Sequence, residues 1–330
     1  MRTNKQIIKE AGITTGDVAD GGSGLLDREQ SRRFITQAFE QTALGGLIRR
    51  EMRRSKTGVL DKIGIASRIM RKKVEGIDAN ADGSAPIKDP NTGQITGYRA
   101  KPNFTSVPYS TVAVRLPWEI TEETLRENIE GQGLEATITN LMTRQVGLDM
   151  EDMSLNGDVS TPSSDPDQLF LYVNDGWIKK ISNGGHVVDA TNITNEMNLD
   201  MFYNLLQSVP NKYNNGKLRW LMSPHRIQEW EKFLLNAGLK SSANFPDSLY
   251  KSPASIPAVP VPSIPDSKIL LTDPKNLINI TTYDVIIRKT TEGKEAVMAD
   301  KRFYGIHLDS DAVIEELDAT GIIENIGRRT

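Results

Sequence analysis

The sequence predicts an α+β fold, and three observations carry this. Apolar residues at Leu134, Ile138, Met142, Val146, Met150 and Met153 recur at spacings of four and three, which lays one stripe along a helix of about five turns. Residues 110–116 alternate instead, with Val112, Val114 and Leu116 set against Thr111, Ala113 and Arg115, the period of a two-sided strand. Further on, helical patterns over 198–208 and 224–235 enclose a short strand at 218–222, and Ser223-Pro224 supplies a cap followed by a first-turn proline.

Taken in order, residues 1–24 are polar and end in Gly21-Gly22-Ser23-Gly24, a linker. Residues 25–54 turn helical through Phe34, Ile35, Ala38 and Phe39, with Asp27 and Glu29 where the helix dipole favours anions, and Gly45-Gly46 interrupts the pattern. With so few apolar residues, 1–57 reads as an arm lying across other chains. Residues 58–117 form a long hairpin, two extended stretches (59–77 and 98–116) around turns at Asp82-Gly83, Asp89-Pro90 and Asn91-Thr92-Gly93. Its tip, Asp78-Ala79-Asn80-Ala81-Asp82-Gly83, is the first half of a calcium loop. Pro86 at the ninth place and Asp89 at the twelfth break the ligand pattern, and the flanks are strands where helices are required, so it reads as a plain loop tip.

Residues 118–194 open with a strand end that passes through Thr121 as cap into a short acidic helix bearing Glu122, Glu123, Glu127 and Glu130. Gly131 and Gly133 separate it from the long helix at 134–155. Asn156-Gly157 should stop that helix, since both residues tolerate the left-handed conformation. Residues 159–189 read as an inserted loop with a short hairpin, 169–173 against 177–181, among Pro162, Pro166, Gly176, Gly184 and Gly185. Pro253, Pro257, Pro260, Pro262 and Pro265 make 252–265 a stiff polyproline-like connector.

The 330 residues suffice for one large or two ordinary domains, and 25% charged with 38% hydrophobic residues is the profile of a soluble folded protein. The absence of cysteine excludes disulfides and zinc-thiolate sites and fits folding in a reducing cytoplasm. No secretory signal and no membrane span are expected, because no long apolar run occurs. Net charge is only −3, but residues 1–73 carry 16 Lys and Arg against 8 Asp and Glu, so the basic excess lies at one end. Two clusters dominate it, Arg49, Arg50, Arg53, Arg54 and Lys56, and then Arg68, Arg71, Lys72 and Lys73. Such clusters suit polyanions or the acidic faces of neighbouring subunits.

Nothing in the sequence announces catalysis. His186, His225 and His307 are far apart and outside any metal-type spacing, and neither a phosphate-cradling lysine loop nor a Gly-x-Ser-x-Gly elbow occurs. The glutamates of the acidic helix have no histidine or metal partner, which makes them an interface for the basic hairpin root in preference to an acid/base pair. No cofactor or metal is expected.

The order Leu116-Pro117-Trp118-Glu119-Ile120-Thr121-Glu122-Glu123, long helix, Asn156-Gly157-Asp158 resembles the major capsid proteins of tailed bacteriophages, the Hong Kong 97 type fold. Residues 264–274 (Ile-Pro-Asp-Ser-Lys-Ile-Leu-Leu-Thr-Asp-Pro) with Asn276 and Leu277 look like the strand returning from that fold's axial domain, and 284–290, 296–306 and 312–317 are similar to its closing strands. The resemblance spans about 62–317. It implies an N-terminal arm (1–57), an extended hairpin that clasps a neighbour (58–117), a peripheral domain with a spine helix (118–194), an axial domain (195–274), and closing strands with the C-terminus (275–330). It further implies a self-assembling shell of hexamers and pentamers around phage double-stranded DNA, with a portal and possible scaffolding or decoration proteins, in a virion assembled in the host cytoplasm. On that basis Arg49, Arg50, Arg53 and Arg54 are expected at the lumen, with Arg68, Arg71, Lys72 and Lys73 of one subunit against Glu122, Glu123, Glu127 and Glu130 of the next. The alternatives are an encapsulin-type compartment subunit, which shares the fold, and a mixed α/β enzyme.

Overall fold

The computed structural model describes residues 42–65, 87–88, 95–96, 102–127, 134–191, 197–236, 252–282 and 285–327. It divides into two compact units, Met1–Thr57 with Tyr109–Thr330, and Gly58–Pro108. Along the chain come strands β1 (Arg49–Arg53), β2 (Thr57–Ile65), β3 (Ile87–Lys88), β4 (Ile95–Thr96), β5 (Pro102–Ser110) and β6 (Val112–Thr121). Helices α1 (Glu122–Glu127), α2 (Leu134–Asn156), α3 (Gln168–Leu171) and α4 (Trp177–Gly184) follow, then β7 (His186–Asp189), α5 (Leu199–Ser208), β8 (Arg219–Met222) and α6 (Pro224–Asn236). The last stretch holds β9 (Ala258–Pro260), β10 (Ile269–Thr272), β11 (Leu277–Thr282), β12 (Ile286–Thr290), α7 (Lys294–Ala299), β13 (Lys301–Ile314) and β14 (Gly321–Glu324).

The larger unit contains two five-stranded sheets. The first is organised on β13, which pairs antiparallel with β11, β12 and β6, while β1 lies parallel to β11 at the edge. Ile306, Leu308, Ala312 and Ile314 of β13 alternate onto one face, where they join Val146, Met150 and Leu155 of α2 in a common core. The second sheet runs β7-β14-β10-β8-β9. Its residues alternate between two cores: Leu221, Leu270 and Ile322 enter the first, and Trp220, Met222, Ile269, Leu271 and Ile323 pack on α5 and α6 in the second. A sheet covered on both faces needs apolar residues at every position, which is why Trp220-Leu221-Met222 and Ile269-Leu270-Leu271 read as unbroken apolar runs. In the second core Phe202 meets Trp220 edge-on at 4.9 Å, and Trp220 Nε1 donates to Pro253 O at 2.8 Å.

Several expectations are corrected here. The helical reading of 25–54 fails at its end. Residues 44–48 form a turn with Leu44 and Ile48 buried, and Arg49–Arg53 is a strand because its backbone completes the edge of the first sheet. Residues 25–41 lie outside the described residues. The second hairpin stretch does not continue to 116: it breaks at buried Thr111, beyond which β6 pairs with β13 over ten residues. The expected hairpin at 169–181 is instead α3 and α4, in which Trp177, Ile178 and Ile181 bury one helical face. The proline-rich connector contributes β9, parallel to β8 at a sheet edge, where proline's missing N–H is tolerated. The separate strands read at 296–306 and 312–317 are α7 followed by the single strand β13. β11 and β14 went unread.

The stop at Asn156-Gly157 holds for a different reason. Gly157 does not adopt a positive φ; a Cβ there would lie 2.3 Å from Asn174 O, so close approach of the inserted loop demands glycine. Gly321 is constrained in the same way, with Leu205 of α5 resting 2.7 Å from where its Cβ would be.

One buried cation ties the chain's end to the second core. Arg226, 1% exposed in the first turn of α6, donates from Nε to Asp266 O at 2.5 Å and from Nη2 to Ile326 O and Gly327 O at 3.2 and 2.9 Å, and it pairs with Glu229. Arg226→Met should therefore cost about 3 kcal/mol or more, by stranding three carbonyls and a carboxylate, and a thermal melt would read the loss. The stripe on α2 makes a graded prediction. Val146 is buried and Met142 only half-buried, so Val146→Asp should abolish soluble expression while Met142→Asp costs about 1 kcal/mol, measured by expression yield and denaturant midpoint.

Candidate assembly interface

α1 begins where β6 leaves the first sheet. Thr121 Oγ1 accepts from Thr124 N–H at 3.3 Å and Glu122 N–H donates to Asp300 O at 2.9 Å, which docks the helix start on the α7–β13 turn. Glu122 takes a forked hydrogen bond from Arg302, whose Nη1 reaches Glu135 of α2 at 3.1 Å, and Lys289 closes the network on Glu135. Tyr304 lies beneath these charges, stacked on Trp118 at 5.2 Å, and burial, reinforced by the Glu135 carboxylate, raises its phenol above the ordinary tyrosine value. Glu122 is thus occupied within its own chain, whereas Glu123 is exposed. Glu127 closes α1, and Glu130 falls outside the described residues.

The first basic cluster sits on β1. By strand alternation Arg49, Glu51 and Arg53 share a face. Arg49 pairs with Glu51 at 2.8 Å and with Glu315 at 2.7 Å, and Arg53 also pairs with Glu51. Arg50 is half-buried and Arg54 exposed. Two of the four arginines are therefore partly neutralised by one glutamate, a pairing that period-two spacing announces once β1 is read as a strand. Arg68, Arg71, Lys72 and Lys73, and the loop from Asp78 to Asp89 apart from Ile87 and Lys88, lie outside the described residues.

The smaller unit pairs β2 with β5 and β3 with β4. Its ribbon buries Leu60 but leaves Ile63 and Phe104 70% and 71% exposed, and Val59 is exposed as well. A two-stranded ribbon is marginal in water, so an apolar surface of this kind fits a further protein surface. Other large exposed apolar side chains are Leu169 on α3 and Met298 on α7.

Sequence reading missed the buried charges that hold segments in place. Glu151, 2% exposed on α2, accepts from Leu44 N–H at 2.8 Å and so receives the turn before β1. A glutamate among Met150, Met153 and Leu155 gives no periodic signal. Ser223, His225 and Asp266 come together without forming a catalytic triad, because Ser223 Oγ and His225 Nδ1 both contact the Asp266 carboxylate, at 2.5 and 3.3 Å, and the serine does not address the imidazole. The Ser223 hydroxyl, opposed by partial burial and helped by His225, holds that carboxyl below the ordinary aspartate value. Among the described residues no group of three or more His, Asp or Glu is placed to hold a metal ion, and no helix is long and apolar enough to cross a membrane.

No family model matches the sequence. A curated relative named "Putative prophage capsid protein YqbE", from Bacillus subtilis (strain 168), is 26% identical over 98% of this chain and 99% of its own length. Among solved structures, a chain of the satellite phage P4 procapsid including the size determination (Sid) protein superposes with a TM-score of 0.61 at 17% identity, over 90% of this chain and 99% of that one. A chain of the Gordonia phage Cozz structure gives 0.56 at 12% identity over 86% of both chains. The chain is thus similar along its whole length to a prophage capsid protein, and it shares its fold with chains of solved phage particles.

Proposed function

We propose that the chain is the major capsid protein of a phage or prophage, a structural subunit with no reaction of its own that assembles into hexamers and pentamers closing a shell around double-stranded DNA. In this reading α2 is the spine helix of a peripheral domain, the second sheet with α5 and α6 belongs to the axial domain, and Gly58–Pro108 is the extended loop that clasps a neighbour. The exposure of Val59, Ile63 and Phe104 on the β2–β5 ribbon carries the argument, because a two-stranded ribbon that presents large apolar side chains among the described residues is stabilised by a neighbour that covers them. Contacts from one subunit's loop to the next subunit's body are heterologous and close into rings. Portal and scaffolding or decoration proteins would be its other partners, in a virion assembled in the bacterial cytoplasm. The basic excess of residues 1–73 favours nucleic acid as the enclosed material, with exposed Arg54 a member of the first cluster placed to meet phosphate.

Negative-stain imaging of the purified chain tests this directly: closed shells are expected, and dispersed single particles would overturn it. An encapsulin-type compartment is the second reading, supported by a TM-score of 0.50 to the holo-SrpI encapsulin of Synechococcus elongatus PCC 7942. Shells enclosing protein but no nuclease-protected DNA would favour it. The charged contact between subunits gives a sharper test. Reversing Arg71, Lys72 and Lys73 to Glu should leave the subunit folded but slow shell formation by light scattering, most at low salt where screening is weak, since exposed pairs set on-rate more than affinity. Adding Glu123→Lys and Glu127→Lys should restore part of the rate; Glu122 is left alone because Arg302 holds it.

A further inference from the structure

We infer that Asp309 and Asp311 of β13 form a polar clamp on the two chain crossings through which residues 58–108 join the main body. The chain leaves the main body at Ser55-Lys56-Thr57 and returns at Tyr109-Ser110-Thr111. The two aspartates are two residues apart on one strand, so their side chains share a side, and each is 6% exposed. Asp309 Oδ2 accepts from Lys56 Nζ at 3.1 Å, on the outgoing crossing, and from the Thr282 hydroxyl at 3.3 Å. Asp311 Oδ2 accepts from Ser110 N–H at 2.9 Å, on the returning crossing, while its other oxygen meets Lys180 Nζ of α4 at 3.4 Å. The crossings are also tied to each other: Thr111 donates to Lys56 O from its N–H at 2.8 Å and its hydroxyl at 3.0 Å, and the Tyr109 hydroxyl donates to Ser55 O at 3.4 Å.

Packing supplies little of this hold. Of residues 54–57 and 109–112 only Tyr109 and Thr111 are buried. Two carboxylates this buried on one strand are stabilised by the lysine that each meets, and Lys56 is itself a crossing residue, so the ion pair that holds Asp309 also fastens the outgoing strand. Ser310 between them turns to the opposite face, where Asn279 Nδ2 reaches its hydroxyl at 3.4 Å, so the clamp and the core share one strand without sharing side chains. The clamp does not depend on the shell role; only its consequence, that a loosened crossing misdirects the clasping loop during assembly, rests on that reading.

Hydrogen exchange on the full-length chain tests the clamp, with wild type, Asp309→Asn, Asp311→Asn and Lys56→Met compared under one condition. Amides of β2, β5, Ser110 and Thr111 should exchange roughly tenfold faster or more in the variants, while those of α2 and β11 keep their wild-type rates. Acceleration spread evenly over the chain would mean that the aspartates only stabilise the fold, and unchanged rates at the crossings would mean that they hold nothing; either result overturns the clamp. If an aspartate variant does not fold, Lys56→Met decides alone, since it removes only the outgoing crossing's partner and leaves Asp309 the hydrogen bond from Thr282. Raising salt to about 1 M should speed the same amides in wild type more than in Lys56→Met, because screening reaches an ion pair with one exposed partner. Imaging of wild-type shells is read separately, so a failure of the shell role leaves the exchange result standing.

Discussion

The pairing of one strand with three others is the constraint on which the main body depends. β13 is long enough to pair with β11 through Ile314–Ser310, with β12 through His307–Phe303 and with β6 through Ser310–Lys301. Its inward residues make the floor on which α2 lies, and its two aspartates receive the crossings to the smaller unit. A break in this strand would therefore uncouple the helix, the sheet and the loop root together. Register along β13 is strongly specified, because a one-residue slip would turn Ile306, Leu308 and Ile314 out of the core and drive Asp309 and Asp311 in.

Much of this is legible in the sequence. The α2 stripe, the short acidic helix behind Thr121, the helix α5, the capped helix α6 and the strand β8 all stand where periodicity and, for α6, the Ser223-Pro224 cap put them. Asn198 caps α5 by accepting from Asp200 N–H, as a residue of that kind before an apolar helical run should. What escaped was set by distant partners. Arg49–Arg53 has no apolar alternation, and its strand exists because β11 offers a free edge; β11 and β14 are short apolar runs that periodicity alone cannot assign. Gly157 was placed correctly for the wrong reason, since nothing local reveals that a loop returns onto it.

The candidate interface was legible only as a distribution of charge. Spacing identified Glu122, Glu123 and Glu127 as one acidic surface, but Arg302, about 180 residues away, decides which of them is spent internally. The same holds for Arg49 and Arg53, which share Glu51. Charge counts locate a surface, and tertiary pairing decides how much of it remains for a neighbour or for phosphate. The exposed apolar side chains of the ribbon were hidden more deeply, because Ile63 and Phe104 in a strand pattern read as buried residues, as Leu60 beside them is.

The position of β14 has a consequence for when the protein becomes usable. This strand lies between β7 and β10 inside the second sheet, with its Ile322 and Ile323 each fully enclosed in a different core. Until it is synthesised, the sheet has a vacant interior slot and neither core is finished. A nascent or prematurely terminated chain would present two open edges ready to accept a foreign strand. Any chain cut short of residue 321 is thereby one that can close neither core, and its two exposed strand edges mark it for aggregation or proteolysis.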